Sequence, residues 1–239
     1  MTTLRATFAA TLLVAFQLPL SGIALAQSRP AAAATASPSA SSLLERTASL
    51  YTGTRGLRAE FTQRVKNPIT ESTTPSAGSY LQRGPGVFSV NFSQPAGDRI
   101  VSDGKTLWVF VPSATPGQVL KLAVGANAPG GVDLVGQFFT SPSRKFTVTD
   151  GGTETLAGLA LRRLMLVPKS DIGFSKAVLW VVPSTGVLKQ LEVTDGSGLV
   201  RTLSFTSITR GVPLAADAFT FAVPRGVTVV DQAALTRGM

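Results

Sequence analysis

The 239-residue chain is 44% hydrophobic and 15% charged, which excludes a disordered polypeptide and supplies one domain of ordinary size with enough apolar material for a sizeable core. It holds no cysteine and no histidine, so disulfides, a lipid-modified cysteine, Ser-His-Asp and Cys-His nucleophiles and the usual zinc ligand sets are all excluded. The net charge of +9 raises nucleic-acid binding, but the basic residues are dispersed, the adjacent pairs being Arg144-Lys145 and Arg162-Arg163, and no aromatic platform interleaves them; the charge reads as a solvated basic surface, suited to anionic membranes or acidic protein partners and not to nucleic acid.

Met1 to Arg5 carries one positive charge ahead of an apolar run, Phe8 to Leu20, that has the length of a signal-peptide core and is too short to span a bilayer. Ala24-Leu25-Ala26 supplies the small residues that a signal peptidase reads, so residues 1–26 are expected to be removed before Gln27 and the product to be exported and soluble. Residues 27–41, rich in Ala, Ser and Pro, read as a flexible leader, and residues 42–239 as one domain. Ser42-Leu43-Leu44-Glu45 has the form of a capping box, which predicts a helix starting there. Leu43, Thr47 and Leu50, with Leu44, Ala48 and Tyr51, give that helix one mostly apolar face, and Gly53 and Gly56 end it.

Beyond Gly56 the period changes to two. Strands are predicted over Leu57 to Val65, Tyr80-Leu81 leading into Val87 to Phe92, Arg99 to Ser102, Lys105 to Val111, Lys145 to Thr149, Leu159 to Val167, Ala177 to Val182, Val187 to Thr194, Val200 to Ile208 and Phe219 to Val223. Phe88, Val90 and Phe92 alternate with Ser89 and Asn91 and share one face. Asp103-Gly104 predicts a tight hairpin, and the other short links imply antiparallel neighbours. Within Leu122 to Ser143, residues Val132 to Phe139 place Leu134, Val135, Phe138 and Phe139 on one short amphipathic helix. About ten antiparallel strands curl and leave a concave apolar face, which two short helices are too few to cover fully. Spacing leaves two outcomes open: a barrel packed with its own side chains, or helices lying across an open mouth above a cavity.

No catalytic set emerges. Gly104-Lys105-Thr106 resembles the end of a phosphate loop, but Arg99 stands where that motif needs Gly and a strand follows where it needs a helix. Asp103, Asp150 and Asp195 each precede Gly in turns, Glu45 belongs to the cap, and Glu60 and Glu192 fall on solvent faces of strands, so no two carboxylates are singled out for glycoside hydrolysis. The chain is read as a non-enzyme with no metal and no cofactor.

From Leu57 onward the sequence resembles the periplasmic outer-membrane lipoprotein carrier protein family, LolA. The stretch that carries most of the likeness is Phe88 to Pro112, FSVNFSQPAGDRIVSDGKTLWVFVP, with an aromatic-rich strand, a Gln-Pro turn and then Val-Ser-Asp-Gly-Lys-Thr-Leu-Trp. Leu57 to Gln63 is similar to the family's first strand, Leu166-Val167-Pro168-Lys169 to its central strand, and Phe219-Thr220-Phe221 with Pro224 to Gln232 to its last segment. The resemblance implies a mainly β fold, an incomplete barrel of about eleven antiparallel strands with short helices over its mouth. It also implies a monomeric periplasmic carrier that takes the acyl chains of lipoproteins from an inner-membrane ABC transporter and hands them to an outer-membrane acceptor lipoprotein.

On that resemblance Phe88, Val90 and Phe92 face a lipid-binding cavity, with Ile100, Trp108, Phe110 and Leu166 as companions and Leu134 and Phe138 on the lid. The family's lid-holding Arg aligns with Gly84, so Arg83 is the candidate latch and a surface arginine at a strand end the alternative; Val90 stands where the family strand has Trp. Two other readings of the same fold are a carrier of another lipid or glycolipid and a lipid-binding sensor or regulator.

Overall fold

The computed structural model describes residues 38–124 and 132–231, so the expected signal segment 1–26 and nearly all of the 27–41 leader lie outside the described residues. Helix α1, Ala40–Thr52, opens one turn before the capping box: Ser39 is the N-cap, its Oγ accepting from the Ser42 amide at 3.1 Å. Glu45 therefore does not close a box on Ser42. Its carboxylate accepts from the Ser143 amide at 3.2 Å and ties α1 to the short helix α2, Pro142–Lys145. The buried face of α1 is Leu43, Leu44, Thr47, Ala48 and Tyr51, as its spacing requires.

Twelve strands follow in one sheet, against about eleven expected: β1 Leu57–Lys66, β2 Thr73–Gly84, β3 Val87–Gln94, β4 Ala96–Asp103, β5 Thr106–Phe110, β6 Gln118–Ala123, β7 Phe146–Leu156, β8 Leu159–Pro168, β9 Lys176–Val181, β10 Leu188–Thr194, β11 Val200–Arg210 and β12 Thr228–Asp231. Their order is β12-β6-β5-β4-β3-β2-β1-β11-β10-β9-β8-β7, so the sheet is open, with β12 and β7 at its edges. Every pairing is antiparallel except β12 on β6. The Asp103-Gly104 hairpin forms where the dipeptide places it: Gly104 has φ of +94°, and Asp103 Oδ1 accepts from the Lys105 and Thr106 amides at 2.8 and 2.7 Å.

Several segments differ from the reading of the sequence, and β6 and β12 have no counterpart among the predicted strands. Strand β2 begins seven residues before Tyr80, and β7 runs on past Thr149 through a bulge, because small polar residues pair as well as apolar ones wherever a neighbouring strand supplies the ladder. Phe219 to Val223 is not a strand; Phe219 closes a 3-10 turn, Ala216–Phe219, and the chain then crosses the outside of the sheet to reach β12.

The core lies on the concave face. Leu57, Ala59 and Phe61 of β1, Leu164 and Leu166 of β8, and Ala177, Leu179 and Val181 of β9 alternate inward and pack beneath α1 and a π-helical turn, Leu134–Phe139. One ring stack joins α1 to the π-helical turn, Tyr51 on Phe139 at 4.7 Å, and a second joins that turn to β7 and to the segment before β9, Phe138 with Phe146 and Phe174 at 6.0 and 5.3 Å. The Tyr51 hydroxyl also accepts from the Leu188 amide at 3.0 Å.

Gly78 lies on β2 between Phe61 of β1 and Phe92 of β3, and because it has no side chain the two rings meet edge-on across it at 5.8 Å. A Cβ at Gly78 would stand 2.3 Å from the Asn91 carbonyl oxygen. Gly78→Ala should therefore lower stability by about 1–3 kcal/mol, read from the urea midpoint, since backbone and rings have to shift together. An unchanged midpoint would show that this contact relaxes freely.

A cavity under a polar-latched lid

The inward parity of β1, β2, β3, β4 and β11 brings together Phe61, Tyr80, Val90, Phe92, Ile100, Leu203 and Phe205, and Val132 and Leu134 close over them from the lid. Gln63 and Arg201 complete the lining. The free space at the centre is about 20 Å³, room for one water and far short of an acyl chain. The protein's own side chains therefore fill the interior in this state. A wider cleft of about 560 Å³ lies beside it, with Phe88, Leu107, Val124 and Ile172 as its apolar part and Asp133, Lys145 and Asp171 among its polar groups. Tyr80 and Phe88 stack at 6.4 Å between the two, Tyr80 walling the cavity and Phe88 the cleft.

The lid is fastened by polar groups on β2. Gln82, 1% exposed, accepts from the Val135 amide at 3.0 Å through Oε1 and donates from Nε2 to Asp133 and to the Gly84 carbonyl. The Tyr80 hydroxyl accepts from the Leu134 amide at 3.0 Å and donates to Gln82 Oε1. Asp133 caps the turn from its own side, taking the Gly136 amide at 2.8 Å and the Gly86 amide at 2.9 Å. A helix start leaves its first amides without intrahelical partners, and here two side chains of the sheet and one aspartate supply them. Lys145 Nζ donates to the Gly136 carbonyl from the other side.

Burial pushes the Tyr80 hydroxyl well above the usual tyrosine range, and the nearby Asp133 adds to this against the opposing Leu134 amide. The hydroxyl is thus a neutral donor throughout the physiological range. Lys145 is lowered by burial, with Asp133 opposing.

Of the residues singled out from the sequence, Val90, Phe92, Ile100 and Leu134 line the cavity, and Phe88 is 2% exposed and faces the cleft. Leu166 is fully buried in the concave core, and Phe138 lies in the stack with Phe146 and Phe174; neither reaches the cavity wall. Trp108 and Phe110 are not in the cavity. On β5 the core positions go to Leu107 and Val109, and the rings of Trp108 and Phe110 lie instead against Phe221, at 5.5 and 5.7 Å. A one-residue change of parity reverses a strand's faces.

Arg83 is not the latch. It follows Gln82 on β2 and so points the other way; its guanidinium sits 4.6 Å above the Phe219 ring, and Nη2 lies 3.4 Å from the Ala215 carbonyl oxygen, so it holds the C-terminal crossing segment. The latching residues Tyr80, Gln82 and Asp133 escaped the sequence reading, as did Gln63 and Arg201. The available signal was a polar residue on an otherwise apolar parity: Gln82 after Gly78 and Tyr80, Gln63 after Leu57, Ala59 and Phe61, and Arg201 before Leu203 and Phe205.

Comparison with known proteins places these features in a family context. The sequence profile of the family described as "Outer membrane lipoprotein carrier protein LolA" matches residues 52–222. An outer-membrane lipoprotein carrier protein of Cupriavidus necator is 30% identical over 188 residues, covering 77% of this chain and 85% of its own. Its counterpart in Xanthomonas campestris pv. campestris strain B100 is 31% identical over 184 residues, covering 76% and 84%. Among solved structures, a conserved protein of Thermus thermophilus superposes with a TM-score of 0.51 at 13% identity, covering 81% of this chain and 99% of that one, which is a likeness of fold alone.

Removing the latch should free the lid. Gln82→Ala leaves the buried Val135 amide unpaired and takes one donor from Asp133, so stability should fall by about 1–3 kcal/mol and the Leu134 and Val135 amides should exchange with solvent about tenfold faster or more. Exchange as slow as in the wild type would show that the ring stacks alone hold the lid. Alkali should act on the same point. Because the Tyr80 pKa is raised in the fold, the stability it gives is fully present below the ordinary tyrosine pKa near 10 and is lost as pH rises past it. A urea midpoint that falls above about pH 10 in the wild type, and less so in Tyr80→Phe, is the expected result.

Proposed function

The chain belongs to the LolA family of outer-membrane lipoprotein carriers, and from that premise we propose that it shelters the acyl chains of lipoproteins beneath the lid while carrying them between membranes. Membership of a carrier family points to a non-enzymatic role. The observation that supports the reading best is the pairing of a concave apolar wall, Val90, Phe92 and Ile100, with a roof fastened on one side by hydrogen bonds that can be exchanged for water.

At ~0.8 kcal/mol per buried methylene, several long acyl chains would cost some tens of kcal/mol to hold in water, so passage between membranes needs a shelter. The closed interior has no room for them, and loading therefore requires the lid to rise and Leu134 to leave the wall. Unloading is the reverse: the lid returns its own apolar side chains to the space that the cargo leaves, which keeps the empty carrier from exposing a wet apolar hollow. Direction is then set by the relative affinities of donor, carrier and acceptor.

The proposal includes an exported, periplasmic location, supported by the apolar segment Phe8 to Leu20 ahead of Ala24-Leu25-Ala26. No helix among the described residues is long and apolar enough to cross a membrane. It also includes an inner-membrane ABC transporter as donor and an outer-membrane lipoprotein as acceptor, as the family membership suggests.

Purified protein lacking residues 1–26, added to energised spheroplasts that hold radiolabelled lipoproteins, should release them as a soluble complex. Val90→Glu should retain its circular dichroism and lose at least about tenfold in acyl-probe affinity, because a carboxylate in the wall is costly to bury against a hydrocarbon chain. Lipoproteins that stay in the membrane with the wild-type protein present would reject the reading.

A further inference from the structure

Arg201 opens strand β11, and its parity is that of Leu203 and Phe205, so its side chain enters the cavity wall with theirs. Its hydrogen bond is to a neutral group, Nη1 donating to Gln63 Oε1 at 3.3 Å, while Gln63 Nε2 donates to Ser76 Oγ at 2.9 Å. No carboxylate lies within 4 Å of the guanidinium among the described residues; Asp195 acts on it only from a distance. Burial lowers the Arg201 pKa.

A guanidinium presents five N–H donors in a planar fork; Arg201 is half-buried, and for the part of its fork withdrawn from water one long bond to an amide is a poor return. A cavity meant for hydrocarbon tails alone would hold them better with Leu or Met at this position, since tails gain nothing from a cation. Phe61, Phe92 and Leu203 form the apolar wall that shares this cavity with the pair. The combination is an amphiphile's site: an apolar wall for one chain, and a donor fork for an oxygen-rich anionic head.

We propose that Gln63 and Arg201 form a polar anchor inside the cavity that binds the anionic head of a single-chain lipid, a carboxylate or a phosphate, and sets the direction in which the chain lies. The inference rests on the acyl-chain reading above and adds a ligand class to it. Guanidinium and anion form a charge-assisted, bidentate pair, and Gln63 keeps the fork in place through Oε1.

The test compares cis-parinaric acid with its methyl ester, which has the same chain and no charge, on the protein lacking residues 1–26. The wild type should bind the acid about tenfold tighter than the ester; Arg201→Met should abolish that preference while binding the ester at least as tightly as the wild type does, and an unchanged circular dichroism spectrum reports that the variant folds. Palmitate and lysophosphatidate as competitors of the bound ester separate the two sources of the head: the one that displaces the ester less well from Arg201→Met than from the wild type is the one the anchor recognises. Equal affinity of acid and ester for the wild type, or a preference that survives in Arg201→Met, overturns the anchor while the carrier reading stands. Failure of both probes to bind overturns the acyl-chain reading and the anchor with it.

Discussion

Twelve strands joined by eleven pairings that close no ring form a curled sheet whose concave apolar face is roofed by one 13-residue helix and two short turns. The roof is attached differently on its two sides. Toward β7 and the segment before β9 it is held by stacked rings, Phe138 with Phe146 and Phe174; toward β2 it is held by the amides of Leu134 and Val135 on Tyr80 and Gln82. Ring stacks lose apolar contact when they part, whereas amide bonds at a rim can be replaced by water. On the proposed reading the lid opens from the β2 side, and what it uncovers there is Val90, Phe92 and Ile100.

That asymmetry explains why the interior can be nearly full and still serve a guest. A permanently empty cavity large enough for acyl chains would cost stability in proportion to its volume. A lid that places Leu134 and Val132 in the same space avoids the void and keeps the site dry between cargoes. Cargo then competes with the protein's own side chains, so binding strength is the difference between two apolar fillings, which favours reversible transfer over tight retention.

Much of the scaffold was legible because strand parity is a local signal. Phe88, Val90 and Phe92 fall on one face by alternation alone, and the Asp103-Gly104 turn is fixed by the φ that Gly104 allows. What escaped depends on partners outside the segment itself. The first half of β2 has almost no apolar pattern and becomes a strand because β1 offers it a ladder. Trp108 and Phe110 look like core and are covered from outside, because Phe221 arrives from the far end of the chain. Arg83 and Gln82 are neighbours, and spacing does not say which of two adjacent polar residues turns inward; the lid amides decide it.

Gln82, Gln63 and Arg201 all stand on the inward parity of the sheet, and their surroundings separate two kinds of role. Gln82 is spent: its oxygen takes the Val135 amide and the Tyr80 hydroxyl, and its nitrogen serves Asp133 and Gly84, so its polarity is satisfied by the lid it holds. Gln63 is divided between Ser76 and Arg201. Arg201 has one long bond to that amide and a carboxylate only at a distance, in a space whose other walls are rings and branched chains. A fold that needed the charge for its own stability would have set a carboxylate against it, as it sets Asp150 against Arg162 on the surface. On the proposed reading the half-buried cation faces the space that an anionic head would take.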